Sequence, residues 1–272
     1  MKKADDLKKM VAEKYGDIAE KESSCCDSAC ACDDYSFIGD SYQSLEGYVP
    51  EADLGLGCGL PTEFAHIEPG EVVVDLGSGA GNDCFVARSL VGPLGKVIGV
   101  DFTPAMIEKA RENARKLEFK NVHFVEGDIE NLPLDPDTAD VVVSNCVLNL
   151  VPDKRAAFRE TYRILKPGGH FSISDVIING DLPKDLKEAA ELYAGCVSGA
   201  IPKEDYLRII SDAGFKNVQI QKEREITIPE ETLSSLLSPG QLEEFKTSNL
   251  GIYSITVYGE KPQEPCCDDE CC

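Results

Sequence analysis

The sequence predicts an α/β fold, a doubly wound, mostly parallel seven-stranded sheet with helices on both faces. Three observations carry this. Apolar strand-like runs alternate with helical-period segments from Glu71 onward, the first run empties into a glycine-rich turn followed by a helix, and the second ends on a carboxylate, Asp101. Alternation of this kind needs crossover connections, which make neighbouring strands parallel and cover both sheet faces. The chain of 272 residues, 42% hydrophobic and 28% charged, is long enough for one large domain with a small appendage.

Each element follows from local pattern. Leu7, Met10, Val11, Tyr15 and Ile18 recur at helical spacing and predict an amphipathic helix over 3–21. Ser23 to Asp34 sets Cys25, Cys26, Cys30 and Cys32 among small and acidic residues, which predicts a mobile arm. Then come a strand, Val72–Leu76, a helix over 81–91, a strand, Lys96–Asp101, and a helix from Pro104 to Leu117. Thr103 is the expected N-cap of that helix, Pro104 suits its first turn, and Met106, Ile107, Ala110 and Ala114 share its apolar face. Val122–Glu126, Ala139–Ser144 and His170–Asp175 supply three more strands, with a helix from Asp153 to Leu165 that Lys166-Pro167-Gly168-Gly169 should end. A helical insertion over 183–195, a helix over Lys203–Ala213 stopped by Gly214, and strands over 217–226 and 252–259 complete the sheet. The acidic terminus, with Cys266, Cys267, Cys271 and Cys272, is expected to be disordered. The expected organisation is therefore an arm (1–47), a ligand-binding core (48–180), a substrate-side insertion with the late strands (181–260) and a tail (261–272).

Composition excludes several functions. No run approaches the ~20 apolar residues of a membrane helix, and a net charge of −22 repels nucleic acid. The charged start, Met1 to Met10, has no apolar signal region, so a cytoplasmic location is expected. In such a reducing compartment, 12 cysteines point to metal, redox or catalytic work rather than to a disulfide framework.

The ligand turn is specific. Asp75-Leu76-Gly77-Ser78-Gly79-Ala80-Gly81 places an acid two residues before the first of three glycines, with Asn82 where a dinucleotide fingerprint needs its last glycine. The pattern resembles the first motif of class I S-adenosylmethionine-dependent methyltransferases, which have a Rossmann-like fold. The resemblance implies S-adenosylmethionine as cofactor and S-adenosylhomocysteine as product. It also implies that Asp75 supports the ammonium group while Gly77, Ser78, Gly79 and Gly81 allow close backbone approach. Asp101 would anchor the ribose, with Phe102 and Met106 beside it, and Gly127, Asp128 and Ile129 would meet the adenine. Asn145, at the end of the fourth strand, completes the expected cofactor set.

The acceptor is suggested by sulfur. Cys146 follows the fourth strand, where ligands of open α/β sheets bind, and no Asn-Pro-Pro or Asp-Pro-Pro motif of nitrogen methyltransferases is present. Cys58 and Cys196 lie in glycine-flanked segments, and a thiol also lies in the arm. These segments together resemble those of arsenite S-adenosylmethionine methyltransferases from about Tyr48 to Ile201. The resemblance implies trivalent arsenic, as arsenite or methylarsenite, held by Cys58, Cys146 and Cys196, soft ligands for a thiophilic centre. It implies further that Cys58 closes a disulfide with Cys25 or Cys26 to return the arsenic to the trivalent state. A thioredoxin-like or other thiol reductant would reopen that bridge, and the protein is expected to act as a monomer without a membrane or nucleic-acid partner. Two alternatives are a carbon methyltransferase of the ubiquinone or menaquinone type and a soft-metalloid binding protein without turnover. His66, His123 and His170 lack an acidic partner at motif spacing and are expected to be structural.

Overall fold

The computed structural model describes residues 2–20, 40–180, 197, 199–226, 234, 238–247 and 251–263. The elements in chain order are α1 (Lys2–Glu20), β1 (Val72–Leu76), α2 (Asn82–Val91), β2 (Lys96–Asp101), α3 (Pro104–Lys116), β3 (Val122–Glu126) and β4 (Ala139–Asn145). They continue with α4 (Lys154–Ile164), β5 (Leu165–Asn179), α5 (Lys203–Asp212), β6 (Lys216–Glu225), α6 (Pro239–Thr247) and β7 (Gly251–Glu260). The seven strands form one sheet in the order β3-β2-β1-β4-β5-β7-β6. Strands β1 to β5 pair in parallel, and β7 runs antiparallel between β5 and β6. The predicted sheet is therefore present with one reversed strand.

Strand periodicity distributes the core. Val73, Val141 and Val143 face one side, with Phe85 and Ala87 of α2 and Ile107 and Ala110 of α3. Val74, Leu76 and Val142 face the other, with Phe158 of α4 and Tyr206, Ile209 and Ile210 of α5. Alternate residues of one strand thus serve two layers, as a sheet covered on both faces requires. The chain order reverses between β1 and β4, which opens a crevice beyond their carboxyl ends.

Several expectations are refined. Lys166-Pro167-Gly168-Gly169 does not form a loop: α4 passes directly into β5 at Leu165, and the motif lies inside that fifteen-residue strand. The register against β4 shifts between Ala139 and Val141, and Gly168 (φ +81) donates its N–H to the carbonyl of Lys261, the residue that follows β7. Asp153 caps α4 by accepting from the Ala156 N–H at 3.0 Å. Thr103 holds the N-cap position of α3, but its side chain makes no capping bond, and Asp101 accepts the Thr103 N–H at 2.8 Å instead. The helical turn α6 was not anticipated. The arm cysteines, the 183–195 insertion with Cys196, and the terminal cysteines lie outside the described residues. Among the described residues, no helix is long and apolar enough to cross a membrane.

Candidate active site

A cleft opens at the crevice between β1 and β4. Its floor is the turn after β1. Gly77 has φ +72 and lies so close to Val147 that a Cβ would overlap that side chain, which leaves glycine as the residue that fits. Gly79, at φ +50, has nothing within 4 Å of where its Cβ would stand, so the backbone there borders open cleft. Asp101, at the end of β2, accepts the Gly79 N–H at 2.9 Å and fixes the turn.

The sequence-predicted cofactor residues divide accordingly. Asp75, Gly77, Ser78 and Gly79 line the cleft, as do Asp101, Phe102 and Met106, and on a further wall Asp128, Ile129 and Asn145. Gly81 and Gly127 do not. Gly81 (φ +98) packs against the rings of Phe85 and Phe124, and Gly127 packs beneath Pro133. Asp128 accepts a salt bridge from Lys8 of α1 at 2.6 Å, and Lys8, Val11 and Tyr15 form part of the cleft wall. The N-terminal helix, which had no predicted link to the site, is therefore one of its walls.

The floor is acidic and buried. Burial raises the Asp75 carboxyl well above the usual range, reinforced by the neighbouring charge of Asp83, and the Cys84 thiol donates to it at 3.3 Å. Burial pushes Asp83 up to about 6 against the hydrogen bonds of Tyr42 and Asn145. Asp101 is also raised by burial, opposed by the backbone N–H groups it accepts. The Ser78 hydroxyl is buried and has no hydrogen-bond partner among the described residues. Buried carboxyls beside an unpartnered hydroxyl and an open glycine turn fit a ligand carrying positive charge and polar groups. S-adenosylmethionine, with its ammonium and sulfonium, answers that description.

Two of the predicted thiols meet here. Cys58 and Cys146, 88 residues apart in sequence, form a disulfide with Cα atoms 5.7 Å apart, and Cys146 borders the cleft. The partners expected for Cys58 from the sequence, Cys25 and Cys26, lie outside the described residues; within them Cys58 is paired with Cys146 at the carboxyl end of β4. The Cys58 loop is held by Asn145, whose Oδ1 accepts the Cys58 and Gly59 N–H groups at 3.0 and 3.3 Å, and by Ser254, whose hydroxyl donates to the Cys58 carbonyl at 2.6 Å. Gly57 and Gly59 allow this, since a Cβ at either would meet Asn145 or Ser174 below 3 Å. Cys146 itself has φ +60, a left-handed conformation uncommon outside glycine.

Sequence reasoning missed three site residues. Asp175 of β5 brings a carboxyl oxygen within 4.8 Å of both sulfurs and is pushed up to about 7 by burial; it also receives the Tyr206 hydroxyl at 3.2 Å. An acid in the apolar run Phe171–Ile178 was the available signal. Tyr42 and Asp83 gave none, since neither belongs to a motif. Asn145, expected at the cofactor, instead spends its amide on the Cys58 loop, Tyr42 and Asp83. His170 contacts the Ala65 carbonyl at 2.6 Å, a structural role as expected.

Comparison with known proteins bears on the thiol pair. Residues 67–214 match a methyltransferase domain model. An arsenite methyltransferase of Halobacterium salinarum is 40% identical over 95% of this chain and 67% of its own length. The chain belongs to the arsenite methyltransferase family. A second member, from Aquipseudomonas alcaligenes, is 34% identical over 94% of this chain and 73% of its own. The crystal structure of an arsenic(III) S-adenosylmethionine methyltransferase from Chlamydomonas reinhardtii superposes with a TM-score of 0.63 at 36% identity, covering 77% of this chain and 68% of that one. Family membership makes the protein an S-adenosylmethionine-dependent methyltransferase with a class I Rossmann-like fold, and the cleft geometry agrees with that cofactor.

Proposed function

We propose that this chain transfers the methyl group of S-adenosylmethionine to trivalent arsenic, taken as arsenite or methylarsenite and held by Cys58, Cys146 and Cys196. The observation that carries the reading is the meeting of Cys58 and Cys146 at the cleft border. Cys146 borders the same cleft as the Gly77–Gly79 turn, and soft sulfur selects a thiophilic centre over hard ions. Cys196 is supported indirectly: Val197 is buried, and Gly199 packs so closely on the Asn149 backbone that no side chain fits between them, three residues beyond Cys146.

When bound, S-adenosylmethionine supplies an electrophilic methyl on a sulfonium leaving group. The protein's contribution is placement. Asp101 and the Gly77–Gly79 turn hold one end of the cleft, the thiols fix the acceptor, and the arsenic lone pair needs no general base to attack in line. Arsenite is captured by exchanging its hydroxyl groups for thiolates, each thiol proton leaving with hydroxide as water. Methyl transfer raises the arsenic formally to the pentavalent state, and two thiolates restore it by giving up two electrons and forming a disulfide. Cys58 is one partner in this step, and Cys146, Cys25 or Cys26 is the other.

The oxidised pair in this structure has both of its proposed arsenic ligands consumed. A thioredoxin-like or other thiol reductant must therefore supply two electrons and two protons before substrate can enter.

The test is product analysis. Reduced protein with arsenite, S-adenosylmethionine and a thioredoxin system should yield methylated arsenic, separated by chromatography and read by elemental detection. Cys146→Ser and Cys196→Ser should yield none while keeping cofactor affinity within about twofold. Undiminished product from either variant would remove that cysteine from the site, and methylation of a quinone-type carbon acceptor in place of arsenic would overturn the reading.

A further inference from the structure

The Asn145 side chain is the bracket between the two redox-linked cysteines. Its Oδ1 takes the Cys58 and Gly59 N–H groups, its Nδ2 donates to the Gly59 carbonyl at 2.8 Å, and its backbone leads directly into Cys146. This works in one orientation only. A flipped amide would set its NH2 against two backbone N–H donors and its oxygen against the Gly59 carbonyl, leaving both N–H groups without their acceptor.

Two buried side chains hold that orientation. Asp83 stands at the start of α2 and accepts from Asn145 Nδ2 at 3.3 Å. It also accepts the Tyr42 hydroxyl, which lies 2.8 and 3.0 Å from its two carboxyl oxygens. With its proton committed to Asp83, the Tyr42 oxygen accepts a second hydrogen bond from Asn145 Nδ2. The phenol oxygen also lies 3.2 Å from the Gly59 carbonyl, so it touches the cysteine loop directly. Both Tyr42 and Asp83 are buried, at 5% and 8% exposure, and water does not substitute freely for either.

We propose that Tyr42 and Asp83 are positioning residues for the Cys58–Cys146 pair, locking the Asn145 amide so that the two sulfurs meet. The inference uses the proposed function only in treating the pair as arsenic ligands; the geometry concerns the thiols themselves. Tyr42 and Asp83 bond to Asn145 and to each other, and Tyr42 also reaches the Gly59 carbonyl. They act by raising the effective concentration of one thiol at the other, which is the quantity that a thiol–disulfide equilibrium reads.

The experiment uses the full chain in defined glutathione redox buffers. Differential alkylation and peptide mass mapping give the oxidised fraction of Cys58 and Cys146 specifically. Tyr42→Phe should lower the equilibrium constant for this disulfide about 3- to 10-fold, the range set by loss of one buried hydrogen bond. Asp83→Ala should lower it further, and Asp83→Asn, which keeps an acceptor oxygen, should recover part of the loss. Tyr48→Phe, on the ring stacked against Tyr42 at 6.5 Å, should change nothing.

Equal constants in the wild type, Tyr42→Phe and Asp83→Ala would overturn the proposal, as would an equal loss in Tyr48→Phe. If Tyr42→Phe fails to fold, the Asp83→Asn and Asp83→Ala pair decides. Arsenite titration of the reduced wild type separates the two readings. A shifted disulfide equilibrium without arsenite uptake would overturn the proposed function and leave the positioning role standing.

Discussion

Cys146 shows how much chemistry rests on one backbone angle. Its φ of +60 turns the chain at the end of β4, so that the thiol points to Cys58 rather than continuing the alternation of the strand. Its own N–H is still paired, to the Ser174 carbonyl at 2.8 Å, which keeps the turn attached to β5. A side chain in that region costs roughly 1 kcal/mol that glycine does not. Cys146→Gly is therefore expected to be more stable than Cys146→Ala by about 1 kcal/mol in urea unfolding of the reduced proteins, although both lack the thiol. Equal stabilities would mean the surrounding contacts absorb the strain. The glycines of the turn after β1 were legible in sequence because their spacing is a motif. The angle at Cys146 was not, because cysteine carries no local preference for it.

At the level of elements, α1 departs most from its sequence reading. Its apolar stripe predicted packing on something larger, and the partner is α3 together with the cofactor cleft: Val11 is buried, Lys8 bridges Asp128 and Glu130, and Lys109 of α3 donates to the Ala19 carbonyl. The helix thus closes the end of the cleft where the adenine is expected. Deleting residues 1–20 is expected to raise the dissociation constant for S-adenosylmethionine about tenfold by calorimetry, since one well-packed apolar side chain is worth ~1.5 kcal/mol. An unchanged constant would make α1 a bystander. Helix existence followed from a 3.6-residue period, whereas its partner depended on contacts far away in sequence. The Lys-Pro-Gly-Gly segment shows the converse. Its local signal read as a helix stop, which is correct, but the segment runs on as β5, with Gly168 and Gly169 bonded to Lys261, the residue after β7.

Across the whole molecule, the site is a set of carboxyls buried at the carboxyl ends of β1, β2 and β5. Asp175 is pushed up to about 7, by burial above all, against the attraction of Lys154 and the hydrogen bonds of Val176 and Tyr206. An acid whose value is raised on folding contributes stability below its ordinary value near 4, and that contribution is lost as pH rises through about 7. The folded chain holds the proton over that window and the unfolded chain does not, so unfolding free energy falls with rising pH. Asp175→Asn should flatten the dependence of Tm on pH between about 4 and 7, removing a term of up to about 4 kcal/mol. A slope as steep as that of the wild type would assign the pH dependence to other groups, Asp75 first among them.

The sequence by itself determined the order of strands and helices, the cofactor turn from Asp75 to Gly81, the carboxylate at Asp101 and the presence of thiols at the carboxyl end of β4. These are local: periodicity, glycine spacing and chain order are written along the backbone. Tertiary structure alone decided that Cys58 meets Cys146, that Asn145 serves the cysteine loop, and that α1 walls the cleft. It also decided that Asp175 lies beside the sulfurs. Those outcomes depend on which side chains converge once the sheet has closed its order. Hydrogen-bond and disulfide partners 87 and 88 residues apart leave no trace in any local window.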